Sequence, residues 1–396
     1  MSSSQPEGYP DWAPRLRAPQ PGPYAAYRSP LKRGLARGLD ALGACLPGAR
    51  GPVRWGRVER VAVLRLDHLG DLLLSFPALE ALRAALPKAR IDLYVGPWCL
   101  DLARLCPHVD SVQALPAEWF QRPQRQAWPL ASLWRSARLL RQGRYDLGVD
   151  LRGELRHALL LRLAGIPQRL GALQTAGAFL LTQALPPAQG HEAHRAWALL
   201  RDAGLPGLGA KAPRLHLDPG AAARREARRR LKAWGLKPGF LALHPFAGAP
   251  SRRWPRAHWQ ELLTKLPGAG RVLLLGDAGE AQALRDLLPP GAGRRLVPAA
   301  GALSLDVLAA VLEQAGLLVG LNSGPGHLAA AVGTPVLSIF SAANDPARWA
   351  PLGPQVKVLV EPAPCGPCEL ADCPLGNACL RRLRPARVLR ALKARA

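Results

Sequence analysis

From Val58 onward the chain alternates short apolar runs rich in β-branched residues with stretches of helical spacing, and it does so twice. Val58–Leu66, Ile91–Val95 and Tyr145–Leu151 read as strands, with helical spacing over Asp71–Leu86 and over about 130–142 between them. The second run places strands at Phe240–His244, Arg271–Leu275, Leu317–Val319 and Val336–Phe340. Its helices fall at Trp259–Leu266, Glu280–Leu288, Leu305–Gln314 and Pro325–Ala331. Strands separated by helices cannot pair through tight hairpins, so they pair in parallel with helices covering the sheet. The pattern predicts an α/β chain of two Rossmann-like, doubly wound domains facing a cleft. Ligands of such sheets bind beyond the carboxyl ends of the strands. The expected domains are 58–215 and 216–384, joined through a helix starting near His191 and the Arg-rich helix Gly220–Trp234. A basic helix closes the chain at 385–396.

A chain of 396 residues with 48% hydrophobic and 20% charged residues is long and apolar enough for two cores. Residues 1–57 form a basic extension before them. Positions 1–30 are rich in Pro, Gly and Ser without a period and read as a flexible tail. Leu31, Leu35, Leu39, Leu42 and Leu46 then recur at helical steps among Lys32, Arg33 and Arg37. This short amphipathic helix either packs on the body or makes a peripheral contact with an anionic membrane. No run is apolar and long enough to span a bilayer, and the first residues lack a secretory layout. The expected location is the cytoplasm, at the inner face of its membrane. The net charge of +25 favours anionic ligands, although a GC-rich coding bias also enriches Arg. Aromatics are only 6% and do not interleave with the basic stretches, so no nucleic-acid partner is expected.

Three loops carry the chemistry. Arg65–Asp71 (RLDHLGD) joins the first strand to its helix. Gly70 allows close backbone approach, and a carboxylate on Asp71 or Asp67 is placed to take a proton from a hydroxyl; Asp71 equally suits a helix cap. The loop Leu243–Pro255 (LHPFAGAPSRRWP) offers the Ser251 hydroxyl and the Arg252 guanidinium to a phosphate, or is simply an Arg-rich surface loop. Gly320–His327 (GLNSGPGH) ends a strand and starts a helix. Its amides, with Asn322, Ser323, Gly324, Gly326 and His327, suit a diphosphate; the bland reading is a capped helix with a buried histidine. No Asp-x-Asp pair exists to bridge a divalent metal and a diphosphate, which favours neutralisation by Arg and a helix end. No Gly-x-Gly-x-x-Gly follows the first strand, which argues against a dinucleotide-dependent epimerase. The seven cysteines include a cluster, Cys365, Cys368, Cys373 and Cys379, spaced for a structural zinc, two disulfides or free thiols.

Taken in order, RLDHLGD with FPALEALRAALP, HEAHRAWALLRDAGL, LALHPFAGAPSRRWP, VLLLGDAGE, the run from Gly301 to Phe340 and DPARWAPLG resemble glycosyltransferase family 9, the ADP-heptose:lipopolysaccharide heptosyltransferases. The resemblance spans about Val58 to Leu392. It implies a GT-B arrangement and an inverting transfer with no cofactor or metal required. The implied partners are an ADP-sugar donor and a glycolipid or glycan acceptor of the lipopolysaccharide core or cell envelope. It further implies that Asp71, not Asp67, is the general base. Arg252, at a position more often Lys, then contacts the donor phosphate, and Ser323, Gly324 and His327 form the diphosphate turn. Asn322 stands where an Asp is usual, and Phe246 and Asp277 where Gly is common. The rival readings are a non-catalytic nucleotide- or polyanion-binding paralogue and another nucleotide-sugar enzyme.

Overall fold

The computed structural model describes residues 23–24, 26–45, 50–116, 130–209, 214–291 and 293–394. They fall into two compact units, Pro19–Leu215 and His216–Ala396. The N-terminal unit holds β1 (Arg60–Arg65), β2 (Arg90–Val95), β3 (Ser111–Ala114), β4 (Leu147–Asp150), β5 (Gln168–Ala172) and β6 (Gln183–Leu185). The C-terminal unit holds β7 (Phe240–His244), β8 (Val272–Gly276), β9 (Leu296–Ala300), β10 (Ala315–Leu321), β11 (Val336–Phe340) and β12 (Val356–Val360). Every pairing is parallel, in the orders β3-β2-β1-β4-β5-β6 and β12-β11-β10-β7-β8-β9.

The two orders are the same Rossmann winding, so the α/β expectation holds for each unit. The strand order reverses between β1 and β4 in one and between β7 and β10 in the other. At these points the connecting helices leave to opposite faces, and the loops beyond the carboxyl ends are free to splay around a ligand. The strands flanking each reversal are almost wholly buried, as their unbroken apolar runs require.

The helical stretch expected over Asp71–Leu86 is instead two helices, Leu69–Leu73 and Phe76–Ala85. Pro77 explains the break. It lacks an N–H, and its ring would clash with the carbonyl of Leu73 in a continuous helix. Ser75 bridges the gap by donating its hydroxyl proton to the Asp71 carbonyl at 2.9 Å. The element carrying Asp71 is therefore a single short turn held at the carboxyl end of β1.

Residues before 58 belong in part to the N-terminal unit, whereas the tail expected at 1–30 falls mostly outside the described residues, as does Leu46. The Trp55 indole is buried and donates to the Ala203 carbonyl at 2.9 Å, and the Val53 amide donates to Gln183 Oε1 at 2.9 Å. Helix Pro30–Ala44 starts at Ser29, whose hydroxyl caps it, and buries Ala36, Asp40 and Gly43. Gly43 lies against the Phe179 ring with no room for a Cβ. The Asp40 carboxylate accepts from the Tyr24 hydroxyl at 3.0 Å and the Gly177 amide at 2.8 Å. No helix among the described residues is long and apolar enough to cross a membrane. Asp40→Ala leaves the Gly177 amide unpaired in a buried place and should cost about 1–3 kcal/mol. Chemical denaturation checks the loss, and limited proteolysis should then cut first within 30–45.

Candidate active site

In the N-terminal unit, β1 ends on Arg65, a cation at the last position of an apolar strand and only 1% exposed. A guanidinium so buried requires anions around it. Three surround Nη2: Glu192 Oε1 at 3.6 Å, Asp71 Oδ1 at 3.7 Å and Asp67 Oδ2 at 3.9 Å. Nη1 donates to the Leu151 carbonyl at 2.6 Å, which ties the end of β1 to the end of β4 across the reversal point. Arg152 reinforces this tie, donating to the Leu66 carbonyl at 2.8 Å and lying 3.3 Å from Asp67 Oδ1. Glu192 arrives on helix Glu192–Asp202, where its other oxygen accepts from Arg195 at 3.1 Å. Asp150, at the end of β4, holds the following turn by accepting from the Arg152 and Glu154 amides and pairing with His157, each at 2.8–2.9 Å.

Within this group the two candidate bases differ. Asp67 Oδ1 accepts from the His68 amide at 3.0 Å and faces Arg152. The Asp71 carboxyl accepts no hydrogen bond from a described residue and keeps 14% of its surface open. Nor is Asp71 the helix cap, because His68 occupies that position and Asp71 sits within the first turn beside Gly70. Burial, then repulsion from Asp67, raise the Asp71 carboxyl; Arg65 opposes them, Glu192 adds to them, and the result is about 7. A carboxyl that titrates near neutrality is poised for general-base work.

In the C-terminal unit, the loops after the adjacent strands β7 and β10 lie at one end of the sheet. Gly320, opposite His244 in register, brings these two strand ends into close contact. His244 is buried and pushed down to about 4 by that burial, so its ring is neutral; Nδ1 lies 3.0 Å from Ser323 Oγ. Ser323 occupies the N-cap position of helix Gly324–Ala331 yet makes no side-chain cap bond there, as its hydroxyl is engaged with His244 and the Leu321 carbonyl. Gly324 and Gly326 stand in the first turn, where Pro325 has no N–H and the Gly326 amide donates to the Ser323 carbonyl at 3.1 Å, while Asn322 and His327 are buried on either side.

The Ser251 hydroxyl donates to the Leu370 carbonyl at 2.6 Å and its amide donates to the Ala371 carbonyl at 3.0 Å. Its proton is thus spent on anchoring the loop, and Arg252 is the half-buried residue that follows. Asn377 adds a second anchor by donating to the Pro250 carbonyl at 2.8 Å. The segment carrying the four cysteines therefore buttresses the Ser251–Arg252 loop. Cys365, Cys368 and Cys379 are buried, and none of the four forms a disulfide among the described residues. Burial and the neighbouring thiols raise Cys365 to about 11. Among the described residues no group of three or more His, Cys, Asp or Glu is placed to hold a metal. Two other departures have local reasons. Asp277 forms a reciprocal cap with Glu280, each side chain accepting the other's amide at 2.9 Å, and Phe246 packs over Gly276 at the end of β8.

The model of glycosyltransferase family 9 (heptosyltransferase) matches residues 133–379. The chain belongs to glycosyltransferase family 9. It is similar to lipopolysaccharide heptosyltransferase 1 of Pseudomonas aeruginosa, with 27% identity over 366 residues, covering 85% of this chain and 97% of that one. Lipopolysaccharide heptosyltransferase 3 of Escherichia coli is 24% identical over 290 residues, covering 71% and 83% of the two chains. The fold matches the solved structure of the E. coli ADP-heptose lipopolysaccharide heptosyltransferase II with a TM-score of 0.68 at 22% identity, over 85% of this chain and 98% of that one. The protein is accordingly a glycosyltransferase with two Rossmann-like units. Family motifs point to Asp71 but give no reason to single out Arg65, Glu192, Arg152 or His244. The available signal was Arg65 itself, since a cation in an apolar strand demands carboxylates from elsewhere.

The raised Asp71 has a consequence for stability. Its folded value of about 7 lies above the ordinary 3.8, so folding favours the protonated form. That contribution is full below 3.8 and is lost as the pH rises through about 7. Asp71→Asn stays neutral throughout. Relative to wild type it should gain denaturant resistance at about pH 8 over what it shows at about pH 4. An unchanged difference between the two pH values would contradict the raised carboxyl.

Proposed function

We propose that this glycosyltransferase moves a heptose from ADP-heptose to a lipopolysaccharide-core or related cell-envelope glycan acceptor, inverting the anomeric centre without a metal. The observation that carries the reading is Asp71, a carboxyl raised to about 7 at the carboxyl end of β1, free of hydrogen bonds from described residues, in a family of sugar transferases. The ADP-heptose donor rests on the name of the E. coli enzyme with the same fold, and the acceptor on the names of the curated relatives.

In the N-terminal unit, Asp71 accepts the proton of the acceptor hydroxyl as its oxygen attacks the anomeric carbon. Arg65 keeps a share of the Asp71 population ionised at neutral pH, and burial beside the Asp67 and Glu192 carboxyls makes that ionised share basic enough to take the proton. In the C-terminal unit, the Gly324 amide and the dipole of helix Gly324–Ala331 meet the departing diphosphate. Arg252, on the loop that Ser251 anchors, adds the positive charge that a metal supplies in other transferases. Neutral His244 holds Ser323 without adding charge. Asn322 in place of an acid lowers the negative charge beside the diphosphate.

Asp71→Asn should lower turnover by roughly 10²–10⁴-fold with donor affinity nearly unchanged. Near-normal turnover in that variant contradicts the base assignment. Arg252→Ala should weaken ADP binding by about tenfold to a hundredfold, the loss expected for a charge-assisted hydrogen bond. Calorimetry with ADP reads it directly, and an unchanged affinity contradicts the phosphate role.

A further inference from the structure

All five large hydrophobic side chains that stand exposed among the described residues lie on two helices of the N-terminal unit. Helix Pro30–Ala44 presents Leu31, Leu35, Leu39 and Leu42, at 72%, 65%, 45% and 75% exposure, and helix Leu130–Gln142 presents Trp134 at 56%. The leucines stand out because the first helix packs inward through Ala36, Asp40 and Gly43, the opposite of what its amphipathic pattern would dictate for a buried helix. The second helix packs normally, with Leu133, Ala137 and Leu140 in the core.

The two helices are ends of one row. Helix Leu130–Gln142 packs on helix Leu155–Leu163, which packs on the turn Ala178–Leu180, which receives helix Pro30–Ala44. The charges along the row are of one sign. Lys32, Arg37, Arg135, Arg138 and Arg141 are exposed on the two helices. The only acid on the first helix, Asp40, is buried, and the second helix has none. A groove of about 670 Å³ runs along Trp134, Arg135, Arg138, Arg141 and Arg144.

We infer that this row is a docking surface for an anionic lipid bilayer, with the leucine stripe entering the boundary between headgroups and acyl chains. An apolar stripe left in water beside basic residues is what an interfacial helix requires. Trp134 suits the same depth, its ring apolar and its N–H polar. The charge decides between occupants. A second copy of the chain would bring one basic row against another, whereas an anionic leaflet supplies the opposite sign. The inference rests on exposure and charge and does not depend on which sugar or acceptor the enzyme uses.

The test is flotation of the full-length protein with vesicles of phosphatidylcholine and phosphatidylglycerol, against vesicles of phosphatidylcholine alone. Partition onto the anionic vesicles should exceed that onto the neutral ones by at least about tenfold and fall with added salt. The double variant Leu35→Glu with Leu39→Glu should lose about a hundredfold in partition, while its thermal unfolding stays near wild type because both side chains are solvent-facing. Arg135→Gln with Arg138→Gln should lower anionic binding and flatten its salt dependence. Absent binding to anionic vesicles, or binding untouched by the leucine substitutions, overturns the inference. So does a dimer in solution that the leucine substitutions abolish while vesicle binding is missing, since that outcome assigns the stripe to a second copy.

Discussion

The buried guanidinium of Arg65 is the constraint around which the N-terminal unit is arranged. Removing such a cation from water costs several kcal/mol unless anions compensate, and single removal of a partner leaves an uncompensated charge. The chain supplies Asp67 and Asp71 from the loop after β1 and Glu192 from a helix far along the sequence. The same cation binds the ends of β1 and β4 through the Leu151 carbonyl. One residue thus fixes the strand ends at the reversal point, orients the carboxyl group assigned as base and limits how far burial can raise it. Burial first, and then the excess of carboxyl groups around one cation, leave Asp71 near neutrality instead of fully ionised.

The C-terminal unit solves a different electrostatic problem, with few formal charges. The anion site proposed there uses the start of helix Gly324–Ala331, beside a neutral histidine and a hydroxyl, with Arg252 on an adjoining loop. The cysteine-bearing segment matters to that loop through backbone carbonyls and Asn377 rather than through thiol chemistry.

Much of this was legible in the sequence where burial forces a pattern. β7 and β11 were read to the residue because both are continuous, almost wholly buried apolar runs. The edge and near-edge strands β3, β5, β6, β9 and β12 were missed. They are half-exposed, with Gln, Arg, Lys, Gly, Ala or Pro interrupting the β-branched signal. The split at Pro77 was visible in principle, but the leucine spacing on both sides of it masked the break. The site loops were legible because they carry unusual residues at strand ends. The Arg65–Glu192 contact was not, since nothing local records a partner contributed by another helix. The orientation of helix Pro30–Ala44 was likewise hidden: its pattern shows an apolar side, while the packing is settled by Asp40 and by the absence of a Cβ at Gly43.

On the proposed mechanism, sugar transfer depends on the ionised form of a carboxyl raised by its surroundings. The direct measurement is the pH dependence of kcat/KM for wild-type transfer of heptose from ADP-heptose. It should rise tenfold per pH unit on the acid side and bend to a plateau at about pH 7, where Asp71 titrates. A profile already flat from about pH 5 upward, as an ordinary exposed carboxylate would give, would contradict it.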